Sequence, residues 1–151
     1  MTCDAEISIV GASASRRVMA RDFFVGALET VLRPDELIVG LRLPSWKPGR
    51  RWSFKEFARR RGDFALGGVA LHFDEDAQRR AQAVHLGVLG TGEPPVRLSQ
   101  VESFLAGKTV TAEIAAAAGE LARATVRAAA DIHASAEYRS ALIGTLVERA
   151  L

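Results

Sequence analysis

Cysteine is almost missing from this sequence: Cys3 is the single thiol among 151 residues. One cysteine closes no internal disulfide and makes no metal site alone, which points to a reducing compartment and a fold held by packing. Charge of one sign is scarce as well. Twenty Lys and Arg face eighteen Asp and Glu, for a net charge of +2, too weak a field to make nucleic acid the default partner. Long hydrophobic runs are absent. The most Ala-rich stretch, 114–132, is broken by Glu120, Arg123, Arg127 and Asp131, so it cannot cross a bilayer. The N-terminal segment lacks an apolar run of the ~7–15 residues that a signal peptide needs. The expectation is a cytoplasmic protein with no membrane span and no nucleic-acid partner.

Motifs of self-contained catalysis are absent too. His72, His85 and His133 stand apart, without HxxxH or CxxC spacing, and no GxSxG elbow occurs; this argues against a metal site and against a hydrolase carrying its own nucleophile. The glycines of "GVLGTG" (Gly87 to Gly92) have the wrong spacing for a dinucleotide fingerprint, and Glu93-Pro94-Pro95 follows where a phosphate-binding helix would have to open. They read as a loop after a strand. No residue is assigned a catalytic or metal-binding role.

What is present is material for a core. Apolar residues make up 48% and charged residues 25%, and a chain of this length buries about 70% of its unfolded surface. "AEISIVG" (Ala5 to Gly11) and "SRRVMA" flank a small-residue turn and predict a β-hairpin. "ELIVGLRLP" alternates Leu37, Val39, Leu41 and Leu43 on one face and predicts a third strand, closed by Pro44. "PSWKPG" places two prolines and a glycine in a linker, so the boundary between two units falls there, dividing 1–48 from 49–151.

Beyond the linker, "RWSFKEFARR", "FALGGVALHFD" and "AQAVHLGVLG" suit an antiparallel meander. The period then changes. Ser99 and Glu102 have capping-box spacing ahead of a helix near 99–106. A longer helix is predicted over 111–129 and a last one over 136–150, with Tyr138, Leu142, Leu146 and Ala150 as its apolar stripe. Strands followed by helices predict an α+β fold, an antiparallel sheet covered on one face by C-terminal helices.

One stretch stands out: "FKEFARRRGDFA", residues 54–65. A charge run is most often a solvated strand end. A single-strand nucleic-acid platform is disfavoured, because Phe54 and Phe57 cannot share a face of a regular strand. Lys55 lies between aromatics on a predicted strand, where its cation could face a cofactor ring while Phe54 points into the core. Periodicity permits this reading without requiring it.

The order of five blocks carries a resemblance. "RDFFVGALETVLRPDELIVGLRLP", "FKEFARRRGDFALGGVA", "LGVLGTGEPPVR", "VESFLAGK" and "DIHASAEYRSALIGTLVERAL" together resemble the C-terminal part of the FAD-binding medium subunit of the xanthine dehydrogenase and carbon monoxide dehydrogenase family of molybdenum hydroxylases. The resemblance implies that 1–48 is the remnant of an FAD-binding domain and 49–151 a CO dehydrogenase flavoprotein C-terminal domain. It implies FAD as cofactor, with [2Fe-2S] clusters on an iron-sulfur small subunit and molybdopterin on a large subunit as partners. Electrons from the clusters would pass through FAD to an acceptor.

By the same resemblance Ile38 lies beside the isoalloxazine, Lys55 near its polar pyrimidine edge, and the Gly62-Asp63-Phe64 turn, with Asp63, flanks the ring. A cation at that edge suits flavin chemistry, since reduction builds negative charge there. Family members carry two glycine-rich stretches for the FAD pyrophosphate upstream of anything present here. FAD binding by this chain alone is therefore expected to be weak or absent, and the strands before Pro44 are expected to lack natural cover. The alternative function is a flavin-free assembly module that docks onto the iron-sulfur and molybdopterin subunits.

Overall fold

The computed structural model describes residues 1–151 except Ala27, Arg61 and Glu93. The N-terminal part holds β1 (Glu6–Val10), β2 (Ser15–Met19), a two-stranded ribbon of β3 (Phe24–Gly26) and β4 (Glu29–Thr30), and β5 (Leu37–Arg42). β1 is the centre of a three-stranded antiparallel sheet, in the order β2-β1-β5. Ile7 and Ile9 point to one side of β1 and pack with Ala20 and Phe23 into a small core. Arg16 on β2 ties the hairpin to the approach of β5: it donates two 2.8 Å bonds to the Glu36 carboxylate and one of 2.7 Å to the Val31 carbonyl. That guanidinium, with the Arg33 N–H, lowers the Glu36 carboxyl to about 2.

The single apolar face expected of β5 is broken by a bulge: Leu41 and Ile38 lie opposite Ile7 and Ile9, while Leu37 lies opposite Val10 on the other face, and none of its apolar residues is covered. Leu37, Ile38, Val39, Leu41 and Leu43 are all exposed. β5 is an edge strand that pairs only with β1. An apolar edge of this kind is open to association.

The larger part is a four-stranded antiparallel sheet, in the order β6-β7-β8-β9, built from β6 (Arg51–Phe57), β7 (Gly67–Glu75), β8 (Ala81–Leu89) and β9 (Val96–Arg97). Three helices follow: α1 (Ser99–Leu105), α2 (Ala112–Thr125) and α3 (Ala136–Ala150). Val69, Leu71 and Phe73 of β7 and Val84, Leu86 and Val88 of β8 form one core with Val101, Leu105, Ala118, Ala122, Ile143 and Val147 of the helices. This is the α+β arrangement the strand-then-helix order predicts, with the helices on one face of the sheet.

Local details depart from the sequence reading. The N-cap of α1 is Leu98, which makes no side-chain cap. Glu102 serves the sheet instead of the cap: it accepts from the Leu86 N–H (2.8 Å) and from Arg97 (2.7 and 2.9 Å). Helix α2 ends at Thr125 rather than 129. The chain turns extended at Val126, and the Ala129 N–H bonds to the Thr91 carbonyl at 2.8 Å; a tertiary partner wins over the helix propensity of an alanine run. On α3 the buried positions are Arg139, Ile143, Gly144, Leu146 and Val147, while Tyr138 is exposed. The stripe is therefore rotated from the one expected. Gly119 and Gly144 set that rotation: a Cβ on either would lie 2.8 Å from the other's carbonyl oxygen, so the helix backbones cross in contact.

The other face of the sheet is partly covered by the N-terminal residues. His72 and His85 stack with ring centroids 4.5 Å apart. His72 Nε2 lies 3.0 Å and His85 Nδ1 2.9 Å from the Thr2 carbonyl oxygen. The linker is tied down as well, since Lys47 and Arg50 both pair with Asp74 of β7, at 2.9 and 2.8 Å.

Burial pushes His72 below the usual histidine range; charge on His85, Arg50 and Arg97 adds to this, against the bond to Thr2. The unfolded chain, titrating near ~6.5, then binds a proton more readily than the native one. Stability contributed by neutral His72 is full above that pH and is lost as pH falls below it. The urea midpoint is expected to drop between about pH 7.5 and pH 5, and His72→Gln to flatten that drop.

Candidate functional site

A cleft of about 1000 Å³ opens beside the four-stranded sheet, a volume suited to a cofactor-sized ligand. Its walls come from the β3–β4 ribbon, the loop between β6 and β7, the loop after β8, and the segment between α2 and α3. Each wall is shaped by its sequence. The Leu66 N–H bonds to the Phe57 carbonyl at 2.8 Å and closes the 58–66 loop. Within it Gly62 takes a φ of +90°, which glycine adopts without strain, and the Asp63 N–H reaches the Arg60 carbonyl at 3.2 Å. Phe64 stands 99% exposed at the lip.

After β8, Gly90 has a φ of +73°, and a Cβ there would lie 2.8 Å from the Ala65 oxygen and 2.9 Å from the Gly67 nitrogen. Gly92, φ +81°, approaches Ala129 just as closely. The glycine loop is thus held between the 58–66 loop and the segment before α3.

Arg139 joins these walls. It is 3% exposed. Its Nη1 donates to the Leu66 carbonyl at 3.0 Å and to the Gly90 carbonyl, and its Nη2 to Asp131 Oδ2 at 2.6 Å. Asp131 Oδ1 accepts from the N–H groups of His133 (2.8 Å) and Ala134 (3.0 Å). The Arg139 guanidinium, followed by these amides, lowers the Asp131 carboxyl to about 2, so it stays ionised at any ordinary pH. Arg59 donates to the His133 carbonyl and adds a second tie across the cleft.

Of Ile38, Lys55 and Asp63, the three residues expected to meet the cofactor, only Asp63 lines this cleft. Ile38 lies on β5, opposite Ile9 in the three-stranded sheet, and its side chain is exposed. Lys55 lies on β6, opposite Val69. It is exposed, on the free edge of the four-stranded sheet, and in no ion pair among the described residues. The structure does not gather the three into one cavity.

The pairing of Lys55 with Val69 places it on the helix side, so Phe54, opposite Ala70, falls on the other side and is half exposed. The expectation that Phe54 enters the core is corrected: it points to the face of the sheet away from the helices that complete the core. Arg59 and Arg60 line the cleft; Arg61, the third of the run, and Glu93 lie outside the described residues. Arg139 was missed because it occupies an apolar helix position. Its spacing of four from Ile143 is the only sequence signal that it points inward.

The family described as CO dehydrogenase flavoprotein C-terminal domain matches residues 52–151. The 6-hydroxypseudooxynicotine dehydrogenase complex subunit alpha of Paenarthrobacter nicotinovorans is 31% identical over 151 residues, covering 100% of this chain and 51% of the relative. The carbon monoxide dehydrogenase medium chain of Hydrogenophaga pseudoflava is 31% identical over 150 residues, covering 98% and 51%. Among solved structures, carbon monoxide dehydrogenase from Hydrogenophaga pseudoflava superposes with a TM-score of 0.91 at 28% identity, over 99% of this chain and 52% of that one. Quinoline 2-oxidoreductase from Pseudomonas putida 86 superposes with a TM-score of 0.89 at 31% identity, over 99% and 51%. The chain spans about half the length of the curated relatives it matches.

The close approach at Gly90 yields a direct test. Gly90→Ala adds both a left-handed strain and a backbone collision, and is expected to cost about 1–3 kcal/mol in urea unfolding.

Proposed function

The chain belongs to the CO dehydrogenase flavoprotein C-terminal domain family, and on that basis we propose that it forms part of the FAD-binding medium subunit of a molybdenum hydroxylase. In this reading residues 1–48 belong to an FAD-binding domain and 49–151 to the C-terminal domain. The partners are an iron-sulfur small subunit carrying [2Fe-2S] clusters and a large subunit carrying molybdopterin, and the enzyme is a cytoplasmic oxidoreductase. Flavin, when bound, would accept electrons one at a time from the clusters and supply them to an acceptor.

The observation that carries this reading is Lys55: an ammonium exposed, and in no ion pair among the described residues, on a free edge strand within the family-matched segment. A flavin ring fits such a donor. The cation favours negative charge at the pyrimidine edge of the ring and needs no rearrangement to do so. Ile38 offers an exposed apolar surface for the ring plane. The Asp63 carboxylate and Phe64 belong to a loop that borders the cleft and would limit water at the ring's rim. FAD is expected to bind the 151-residue chain with a dissociation constant of about a micromolar or weaker.

The exposed apolar β5 strand favours a second reading, a flavin-free assembly module that docks onto the other subunits. Flavin electrochemistry separates the two. With FAD in excess, Lys55→Ala is expected to lower the two-electron midpoint potential by roughly 20–40 mV, since about 1–2 kcal/mol of charge stabilisation is lost. An unchanged potential removes Lys55 from the site. A chain that binds no flavin yet captures the iron-sulfur and molybdopterin subunits supports the assembly reading.

A further inference from the structure

We propose that Arg139 is the positioning residue of the cleft: its guanidinium fixes the 58–66 loop, which carries Asp63, against the glycine loop at 90–92. The importance of Asp63 rests on the flavin reading; the clamp itself rests on geometry alone. Arg139 occupies a stripe that α3 otherwise fills with Ile143, Leu146 and Val147. A buried cation there costs several kcal/mol of desolvation, repaid only by good partners. Its partners come from three separate segments: Leu66 at the end of the 58–66 loop, Gly90 after β8, and Asp131 between α2 and α3. Nε, in contrast, is buried without a partner among the described residues, so the cation is placed for the loops.

The two loops also touch without its help. The absent Cβ of Gly90 leaves room for the backbone at 65–67, and Gly92 lies against Ala129. Contact alone does not set register. One Nη1 shared by the Leu66 and Gly90 carbonyls holds both loop ends to a single point, and Asp131, itself held by two backbone amides, fixes where that point lies. The planar fork of arginine spans these acceptors, whereas the single nitrogen of lysine can keep the charge facing Asp131 without bridging all three. Charge and bridging are therefore separable by substitution.

The experiment uses the 151-residue chain, wild type, Arg139→Lys and Asp131→Asn, with FAD as probe. Hydrogen exchange is followed in peptides covering 58–66 and 88–95, with β7 and the middle of β8 as the measure of global stability. Arg139→Lys is expected to leave β7 exchange and the thermal transition close to wild type, while both loops exchange about tenfold faster together and FAD affinity falls about tenfold. Asp131→Asn, which leaves both carbonyl bonds in place, is expected to produce the same pattern to a smaller degree.

Loosening of neither loop, or of one alone, overturns the proposal. So does faster exchange spread evenly over β7 and β8, which marks a role in stability only. If wild type binds FAD and Arg139→Lys binds it as tightly, Arg139 is not a positioning residue and the flavin reading stands. If wild type binds no FAD and both loops still loosen together, the clamp stands on its geometry alone.

Discussion

The guanidinium of Arg139 joins three chain segments that are distant in sequence. The β6–β7 loop, the loop after β8 and the approach to α3 each present a carbonyl or carboxylate to the buried side chain from α3, which donates to all of them. The bond to Leu66 is buried, so that carbonyl left without its donor would carry a desolvation cost of about 1–3 kcal/mol, whereas Asp131 keeps 43% of its side chain exposed. The cleft therefore has a fixed shape only while α3 is docked. Docking in turn depends on the glycine crossing of α2 and α3, because any side chain at Gly119 or Gly144 would push the helix axes apart and withdraw the arginine from its acceptors. Helix packing and cleft geometry are thus one constraint expressed at two places.

The two sheets are finished to different degrees. The four-stranded sheet has helices on one face and the N-terminal residues on part of the other, where the stacked His72 and His85 share the Thr2 carbonyl. The three-stranded sheet buries Ile7 and Ile9 against Ala20 and Phe23 and little else, while β5 leaves its apolar residues in water. Ile38 belongs to the less covered sheet and Lys55 to the better covered one. A ring bound between them would bury apolar surface on β5 while meeting a cation held on a well-supported strand, a division of roles suited to binding on one side and charge stabilisation on the other.

Much of the fold was legible because it depends on period. Alternation in "GVALHF" and "AVHLGVL" placed β7 and β8, and the three- and four-residue spacing after Ser135 placed α3 with the bounds observed. What was not legible depends on partners distant in sequence. Glu102 looks like a capping residue until Arg97 and the Leu86 amide claim it. The alanine run past Thr125 looks helical until Thr91 offers a carbonyl to Ala129. Arg139 looks like a surface charge because no local pattern shows that two loops bring their carbonyls to it. The same limit applies to the site: Lys55 and Asp63 are close in sequence, but a strand end and a nine-residue loop separate their surroundings, and the resemblance that singled them out carries no distances.

The central proposal is that FAD meets this chain at β5, at β6 and at the Asp63 loop, three places that no one cavity gathers. Amide chemical shifts recorded during an FAD titration test it most directly, because they report weak binding residue by residue. The account predicts that the shifts concentrate at 37–39, 54–56 and 62–64. Shifts confined to other surfaces, or none at millimolar FAD (~1 mM, where binding of even −4 kcal/mol would register), would contradict it.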